Sequence, residues 1–193
     1  MKKIILCSFT LFIMACNSND EKAKPADVSQ SALTQSKNNE AFNKCFGKLL
    51  NSYYALKESF VKEDTNLVAT NAKALMQAAD SLQLKELKAE AALIETAQMN
   101  AKNLSDEVKG LLGEAGIENK RKAFQMITSD MYDLIRVVKY DQSVVYLQHC
   151  PMAFDNKGAD WLSSSSEIVN PYLPKKMPDC GEVKDSVDYK IKK

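Results

Sequence analysis

The chain has 193 residues, of which 45% are hydrophobic and 26% are charged, and its formal net charge is +1. This length suits one ordinary domain, and the composition is too polar for an integral membrane protein. The nearly neutral charge and the lack of a basic block argue against nucleic acid as a partner, because nucleic-acid binding needs a basic face that displaces counterions.

The N-terminal segment, MKKIILCSFTLFIMAC, predicts export. Two lysines precede an apolar run from Ile4 to Ala15 that is too short to span a bilayer as a mature helix. Its end, IMAC, resembles the lipobox of bacterial lipoproteins, in which a peptidase cleaves before the cysteine and the new terminus is acylated. We therefore predict a signal peptide over residues 1–15 and acylation of Cys16, palmitate included.

Acyl chains on Cys16 would anchor the protein to a membrane through their buried methylenes. We expect a location in the cell envelope, facing the periplasm or the cell surface, and favour the outer membrane over the inner one. Residues 16–39 comprise this cysteine and a stretch rich in Ser, Asn, Lys and Ala without a sustained hydrophobic pattern. That composition predicts a flexible tether.

Residues 40–140 predict four amphipathic helices, because apolar side chains recur there at i, i+3 and i+4. Asp64 or Thr65 is placed to cap the second helix. Glycines in the segment 105–116 predict a frayed end or a short extra turn after the third helix. The apolar runs extend from Phe42 to Phe60, from Leu67 to Leu82, from Leu84 to Leu104 and from Ile117 to Val138. Short connections between such helices predict an all-α fold, an up-and-down four-helix bundle.

The pattern changes after Tyr140. The stretch SVVYLQ is β-branched and aromatic, whereas NPYLPKKMPDCGEV contains three prolines and a glycine, which argues against a long helix. We predict that residues 141–193 form a loop-rich C-terminal cap of the same domain, with room for a short β-hairpin. The single tryptophan, Trp161, is expected to pin this cap to the bundle.

Three cysteines remain once Cys7 leaves with the signal and Cys16 carries the lipid. An odd number in an oxidising compartment leaves at least one thiol unpaired within the monomer. Cys45 lies on the apolar stripe of the first predicted helix, so we expect it to pack in the core.

Soft metal-binding side chains are concentrated in the predicted cap. His149, Cys150 and Met152 lie within four residues, and Met177 and Cys180 provide a second sulfur pair. Thiolate and thioether ligands select Cu(I) and other thiophilic metals, and imidazole suits copper as well. If the cap folds back on itself, the two groups meet and form a metal site from these five residues, with Pro151 as a rigid spacer.

A disulfide between Cys150 and Cys180 is the competing interpretation. In the chain-entropy model, closing a loop of about 31 residues stabilises a fold by roughly 3.7 kcal/mol. The two interpretations exclude each other for the same thiols at the same time, and a pair that alternates between them also stays open. We do not predict an enzyme, because His149 and Cys150 would point to opposite faces of an extended segment and the chain has no second histidine.

Four pieces of the cap carry a family resemblance: CPMA at 150–153, KGADWLS at 157–163, EIVNPY at 167–172 and MPDCG at 177–181. They resemble a bacterial domain family of unassigned function, found alone in exported proteins or appended to periplasmic adaptors of copper- and silver-type efflux pumps. The helical part is similar too, so the resemblance covers residues 40–188. It implies metal binding rather than a disulfide alone, and an efflux adaptor as a partner, but no catalytic residues.

The CPM triplet is also similar to short heavy-metal-binding modules with a Tyr-x-Cys-Pro-Met-His core, although Ala153 stands in place of the histidine. We therefore expect an exported lipoprotein that binds a soft metal, Cu(I) first, for buffering or for hand-over to an efflux system. The alternative is an interaction module of the envelope, stapled by a disulfide and without a metal role. Its aromatic anchors would be Tyr146, Phe154, Trp161 and Tyr172.

Overall fold

The computed structural model describes residues 38–190. The predicted signal peptide, Cys16 and the tether up to residue 37 lie outside this range. Within it, no helix is both long enough and apolar enough to cross a membrane. The last two residues of the predicted tether prove to be part of the fold. Asn39 caps the first helix by accepting a hydrogen bond from the Phe42 amide at 2.7 Å, and Asn38 Nδ2 donates to the Val138 carbonyl at 2.9 Å.

The predicted helical bundle with a C-terminal cap is confirmed. Consecutive helices pack against each other around one apolar core. Asp64 caps the second helix, as predicted, by accepting hydrogen bonds from the amides of Asn66 and Leu67. The helices are α1 (Glu40–Val61), α2 (Thr65–Asp80), α3 (Ala91–Gly113) and α4 (Gly116–Val138).

The predicted course of the third helix is wrong at both ends. Leu84 and Leu87 are buried, but Leu84 opens a single 3-10 turn and α3 begins only at Ala91. The apolar spacing correctly predicts that these leucines are buried. It does not distinguish a continuous helix from a short turn, because both can bury the same side chains. At the other end α3 continues without fraying to Gly113, because the buried stripe that includes Val108 and Leu111 offsets the cost of the helical glycines.

The cap contains a three-stranded antiparallel sheet, which is more than the short hairpin that the sequence predicts. The strands are β1 (Val145–Cys150), β2 (Ala159–Ser163) and β3 (Glu182–Val187), in the spatial order β2-β1-β3. His149 pairs with Asp160 on β2 and with Glu182 on β3. The central strand therefore brings the start of β2 and the approach to β3 together at its C-terminal end.

The cap is fixed to the bundle through buried polar contacts. The Tyr53 hydroxyl of α1 accepts a hydrogen bond from the Leu162 amide of β2 at 3.0 Å and lies 2.7 Å from Thr128 Oγ1 of α4. Arg121 of α4, which is 2% exposed, donates to the Pro171 carbonyl at 2.9 Å. Trp161 is fully buried, and its ring packs edge-on against Tyr172 of the cap with 6.2 Å between centroids. That Trp161 pins the cap to the bundle stays a prediction.

Candidate metal site in the C-terminal cap

The two cysteines of the cap meet. The Sγ atoms of Cys150 and Cys180 are 2.9 Å apart, although 30 positions separate the residues in the sequence. Both are free thiols, Cys150 fully buried and Cys180 partly exposed. The two sulfur-bearing segments therefore fold onto each other at the cysteines.

The sheet register explains why the two thiols meet. Since His149 lies opposite Glu182, the antiparallel pairing carries Cys180 to the end of β1, beside Cys150. Gly181 makes this approach possible: a Cβ there would lie 2.8 Å from the His149 carbonyl oxygen and 2.8 Å from the Trp161 ring, and its φ is +151°. A side chain at this position would push the segment away from β1.

Asn170 organises the loop that precedes Cys180. Its side chain is fully buried; Nδ2 donates to the carbonyls of Met177 at 3.2 Å and Cys180 at 3.0 Å, while Oδ1 accepts from the amides of Tyr172 at 2.8 Å and Leu173 at 3.1 Å. All four hydrogen-bonding positions of one amide are thus used within a single loop. This network fixes the main chain at both sulfur-bearing residues.

The turn that follows Cys150 adopts an uncommon backbone. Phe154, Asp155 and Asn156 have φ values of 51°, 57° and 66°, which form a left-handed turn of three non-glycine residues. Such a conformation costs roughly 1–2 kcal/mol per residue. The Phe154 ring packs edge-on against Tyr172 at 5.3 Å, and the Met152 amide donates to the Cys180 sulfur. These contacts hold the strained turn against the loop of Asn170.

The proximity of the thiols affects their protonation. The hydrogen bond with Cys150, followed by burial, raises the pKa of Cys180 above its usual value. Cys180 is therefore a protonated thiol at neutral pH. A metal ion that binds here has to displace that proton, because the thiolate is the ligand.

The sulfur separation lies between those of two chemical states. A disulfide needs sulfurs about 2.05 Å apart, so the pair would have to close by roughly 0.9 Å. Two thiolates on one metal, each at about 2.3 Å, are roughly 3.8 Å apart at a tetrahedral angle and farther apart when linear. From the observed 2.9 Å the sulfurs would therefore separate by roughly 0.9 Å for a tetrahedral site and by roughly 1.7 Å for a linear one.

His149 is not brought to the cysteine pair. Alternation along β1 places it on the opposite face from Cys150, as the sequence predicts. Its Nδ1 lies 2.5 Å from Asp160 Oδ1, and Lys184 Nζ lies 3.0 Å from the other oxygen of that carboxylate. In this arrangement His149 is part of a charged cluster on the outer face of the sheet.

Met152 and Met177, the two predicted thioether ligands, are 43% and 39% exposed. Met152 follows Cys150 by two positions, and the Met177 carbonyl accepts a hydrogen bond from the Cys180 amide at 3.2 Å. Among the described residues no group of three or more His, Cys, Asp or Glu side chains could hold a metal ion. The site is therefore a pair of thiols, one at the end of β1 and one in the loop before β3, and exposed thioethers lie two and three positions away in the sequence.

Two sequence expectations about surface and core are wrong. Cys45 is only partly buried on α1, because the buried stripe is centred on Phe42, Phe46 and Leu49 and leaves Cys45 at its edge. Of the aromatic anchors proposed for an interaction surface, Trp161 and Tyr172 are buried at 0% and 3% exposure. Neither presents a face to a partner.

Sequence reasoning missed the residues that support the thiols. Nothing in the spacing of Asn170 or Phe154 indicates their roles, because both depend on loop conformation. Gly158 and Gly181 gave a usable signal: glycines that directly precede strands often mark a close approach of the backbone. Here a Cβ on Gly158 would lie 2.6 Å from His149 Cε1.

Comparison with known protein families finds a match for part of the chain. Residues 49–143 match the family described as Protein of unknown function (DUF3347), which places this segment, from α1 to just before β1, in a domain family of unassigned function. No curated protein and no solved structure matches the chain.

Proposed function

We propose that this protein binds a soft monovalent metal ion, Cu(I) first, through the thiolates of Cys150 and Cys180. The observation that carries the proposal is the 2.9 Å approach of these two sulfurs at the end of β1. Two thiolates, with thioethers two and three positions away in the sequence, are a donor set for Cu(I) or Ag(I), whereas Mg²⁺ and Ca²⁺ prefer oxygen ligands.

The loops around the pair support binding rather than passive packing. The backbones of Cys180 and Met177 are held by the Asn170 side chain, and the Met152 amide already donates to the Cys180 sulfur. Metal binding requires the cysteine side chains to rotate until the sulfurs are roughly 0.9 Å farther apart for a tetrahedral site and roughly 1.7 Å farther apart for a linear one. Met152 and Met177 are the proposed additional ligands, because both are exposed and belong to these loops. His149 could become a ligand only if the cap rearranged, because its ring is already hydrogen-bonded to Asp160.

The physiological role that we propose is buffering of Cu(I) in the cell envelope, or its hand-over to an efflux system. The lipobox-like segment supports attachment to a membrane facing away from the cytoplasm, and the resemblance of the cap supports an efflux adaptor as the recipient. The partly exposed Cys180 offers a route by which another ligand reaches the metal, because ligand exchange needs one accessible donor.

The test is a competition titration of the full-length protein, purified in detergent, reduced and kept anaerobic, between Cu(I) and a chromophoric chelator. We expect the wild type to retain one Cu(I), with an apparent affinity that rises with pH because protons must leave the thiols. The double variant Cys150→Ser/Cys180→Ser should lose tight binding, by about 100-fold or more, while its helical circular dichroism is unchanged.

Cys45→Ser is the matched control, because it removes a partly exposed thiol on α1 and leaves the pair intact. Zn(II) offered to the same samples measures selectivity. Unchanged Cu(I) affinity in the double variant would refute the assignment.

A disulfide-stapled interaction module is the second candidate, and the same 2.9 Å spacing favours it. Tyr146 and Phe154, which are partly exposed, are the remaining aromatic anchors for a partner. The intact mass of the unreduced wild type should then be lower than the reduced mass by two protons. If the reduced protein also retains no Cu(I), the result supports this candidate over a metal site.

A further inference from the structure

Cys150 and Cys180 differ sharply in access to solvent. Cys150 ends the central strand and is fully buried, whereas Cys180 lies in the loop before β3 and is partly exposed. A reagent from solution therefore reaches Cys180 before Cys150. Thiol–disulfide exchange proceeds by attack of one thiolate on a disulfide sulfur, so this difference assigns the two cysteines distinct roles.

We infer that the pair is an oxidation-controlled metal site, in which Cys180 exchanges with an external disulfide and Cys150 resolves the product. This inference rests on the proposed function, because it describes what removes the ligands from the metal. The oxidant is a small-molecule or protein disulfide of the oxidising compartment. Closing the Cys150–Cys180 bond removes both thiolates at once and releases the metal.

The exchange balances in two steps. The Cys180 thiol releases its proton, and the resulting thiolate attacks one sulfur of the external disulfide; a mixed disulfide forms, and the other sulfur of the oxidant leaves as a thiolate that takes up a proton. The Cys150 thiolate then attacks the Cys180 sulfur, and the second oxidant thiolate leaves. Two electrons pass from the cysteine pair to the oxidant, and Cu(I) departs without a change in its own oxidation state.

The geometry suits the second step. The Cys150 sulfur is already 2.9 Å from that of Cys180, so resolution needs a closure of only about 0.9 Å. Asn170 fixes the backbone of Cys180, and Gly181 lets this segment lie close against the His149 carbonyl of β1. Exchange at Cys180 is therefore followed by ring closure rather than by a lasting adduct.

The test uses metal-free, reduced full-length protein with oxidised glutathione as the probe, in a Cys45→Ser background that removes the third described thiol. Intact mass is followed over time. With both cap cysteines present we expect a product two protons lighter and no lasting adduct. With Cys150→Ser a glutathione adduct should accumulate on Cys180, at least roughly tenfold faster than an adduct on Cys150 in Cys180→Ser. Cys150→Ala is a second version of the first variant and guards against a folding defect.

Equal or faster adduct formation in Cys180→Ser would overturn the assigned roles, and so would a lasting adduct in the protein with both cysteines. A further sample is loaded with Cu(I) before oxidised glutathione is added. Release of one Cu(I) to a chelator for each disulfide formed supports the control of binding by oxidation, and retention of Cu(I) by the oxidised protein overturns it. Failure to load Cu(I) at all counts against the proposed function. The metal-free exchange still tests the roles assigned to Cys180 and Cys150, because it does not need copper.

Discussion

At the residue scale, Asn170 is the side chain on which the position of Cys180 depends most. Its amide donates to two carbonyls and accepts from two amides inside one loop. The substitution Asn170→Asp replaces the NH₂ group that donates to the carbonyls of Met177 and Cys180 with a carboxylate oxygen, which cannot donate. Buried polar groups that lose their partners cost about 1–3 kcal/mol each, and more when a charge is involved.

We therefore expect Asn170→Asp to lower the melting temperature and also to weaken Cu(I) retention relative to the wild type. Asn103→Asp, at an exposed position on α3, is the matched control for the same chemical change. The measurements are thermal unfolding followed by circular dichroism and the chelator competition. If Cu(I) affinity stays at the wild-type level while the melting temperature falls, Asn170 is structural only and does not position the site.

Sequence reasoning succeeded at this scale where a local rule applied. Alternation along a strand separated His149 from Cys150, and an Asp before a helix predicted the Asp64 cap. It failed for Asn170, whose partners lie up to ten positions away and meet it only after the loop has closed. The sequence placed Cys150 and Cys180 together under both interpretations of the cap, and the β1–β3 register is what brings the two residues close in space.

At the element scale, the turn between β1 and β2 combines strain with close packing. Phe154, Asp155 and Asn156 are left-handed, and Gly158 completes the turn with φ +79°. A Cβ on Gly158 would lie 2.6 Å from Cε1 and 2.9 Å from Nε2 of His149. The turn thus has no space for a side chain at Gly158 unless His149 leaves Asp160.

Gly158→Ala should destabilise the protein by about 1–3 kcal/mol, through the positive φ and the displaced imidazole. Gly110→Ala is the matched comparison, because no atom lies within 4 Å of its Cβ position inside α3. There the same change should stabilise by up to about 1 kcal/mol, since alanine is the better helix former. Urea unfolding of both variants gives the two values. Equal effects in the same direction would contradict the strained turn.

The elements themselves were predicted unequally. The helices of the bundle followed from apolar spacing, because each buries one long stripe. The sheet was underestimated because β3 is exposed at five of its six positions and so lacks a hydrophobic signal. Main-chain hydrogen bonds to β1 hold it in place, and a sequence pattern does not report these.

At the scale of the whole molecule, the described part of the chain combines a helical support with a chemically distinct cap. The family match ends at residue 143, just before β1, so the candidate site lies entirely beyond the matched segment. Tyr53 and Arg121 connect the two parts through buried hydrogen bonds to Leu162 and Pro171. The bundle therefore serves as a rigid base on which the strands bring Cys150 and Cys180 together.

The central claim is that Cu(I) is bound by the sulfurs of Cys150 and Cys180, and X-ray absorption at the copper edge tests it most directly. The reduced full-length protein is loaded anaerobically with one Cu(I) per chain. We predict a first shell made of sulfur only, with at least two sulfur ligands, which is lost in Cys150→Ser/Cys180→Ser and kept in Cys45→Ser. A first shell dominated by nitrogen or oxygen, or the same sulfur shell in the double variant, would contradict the account.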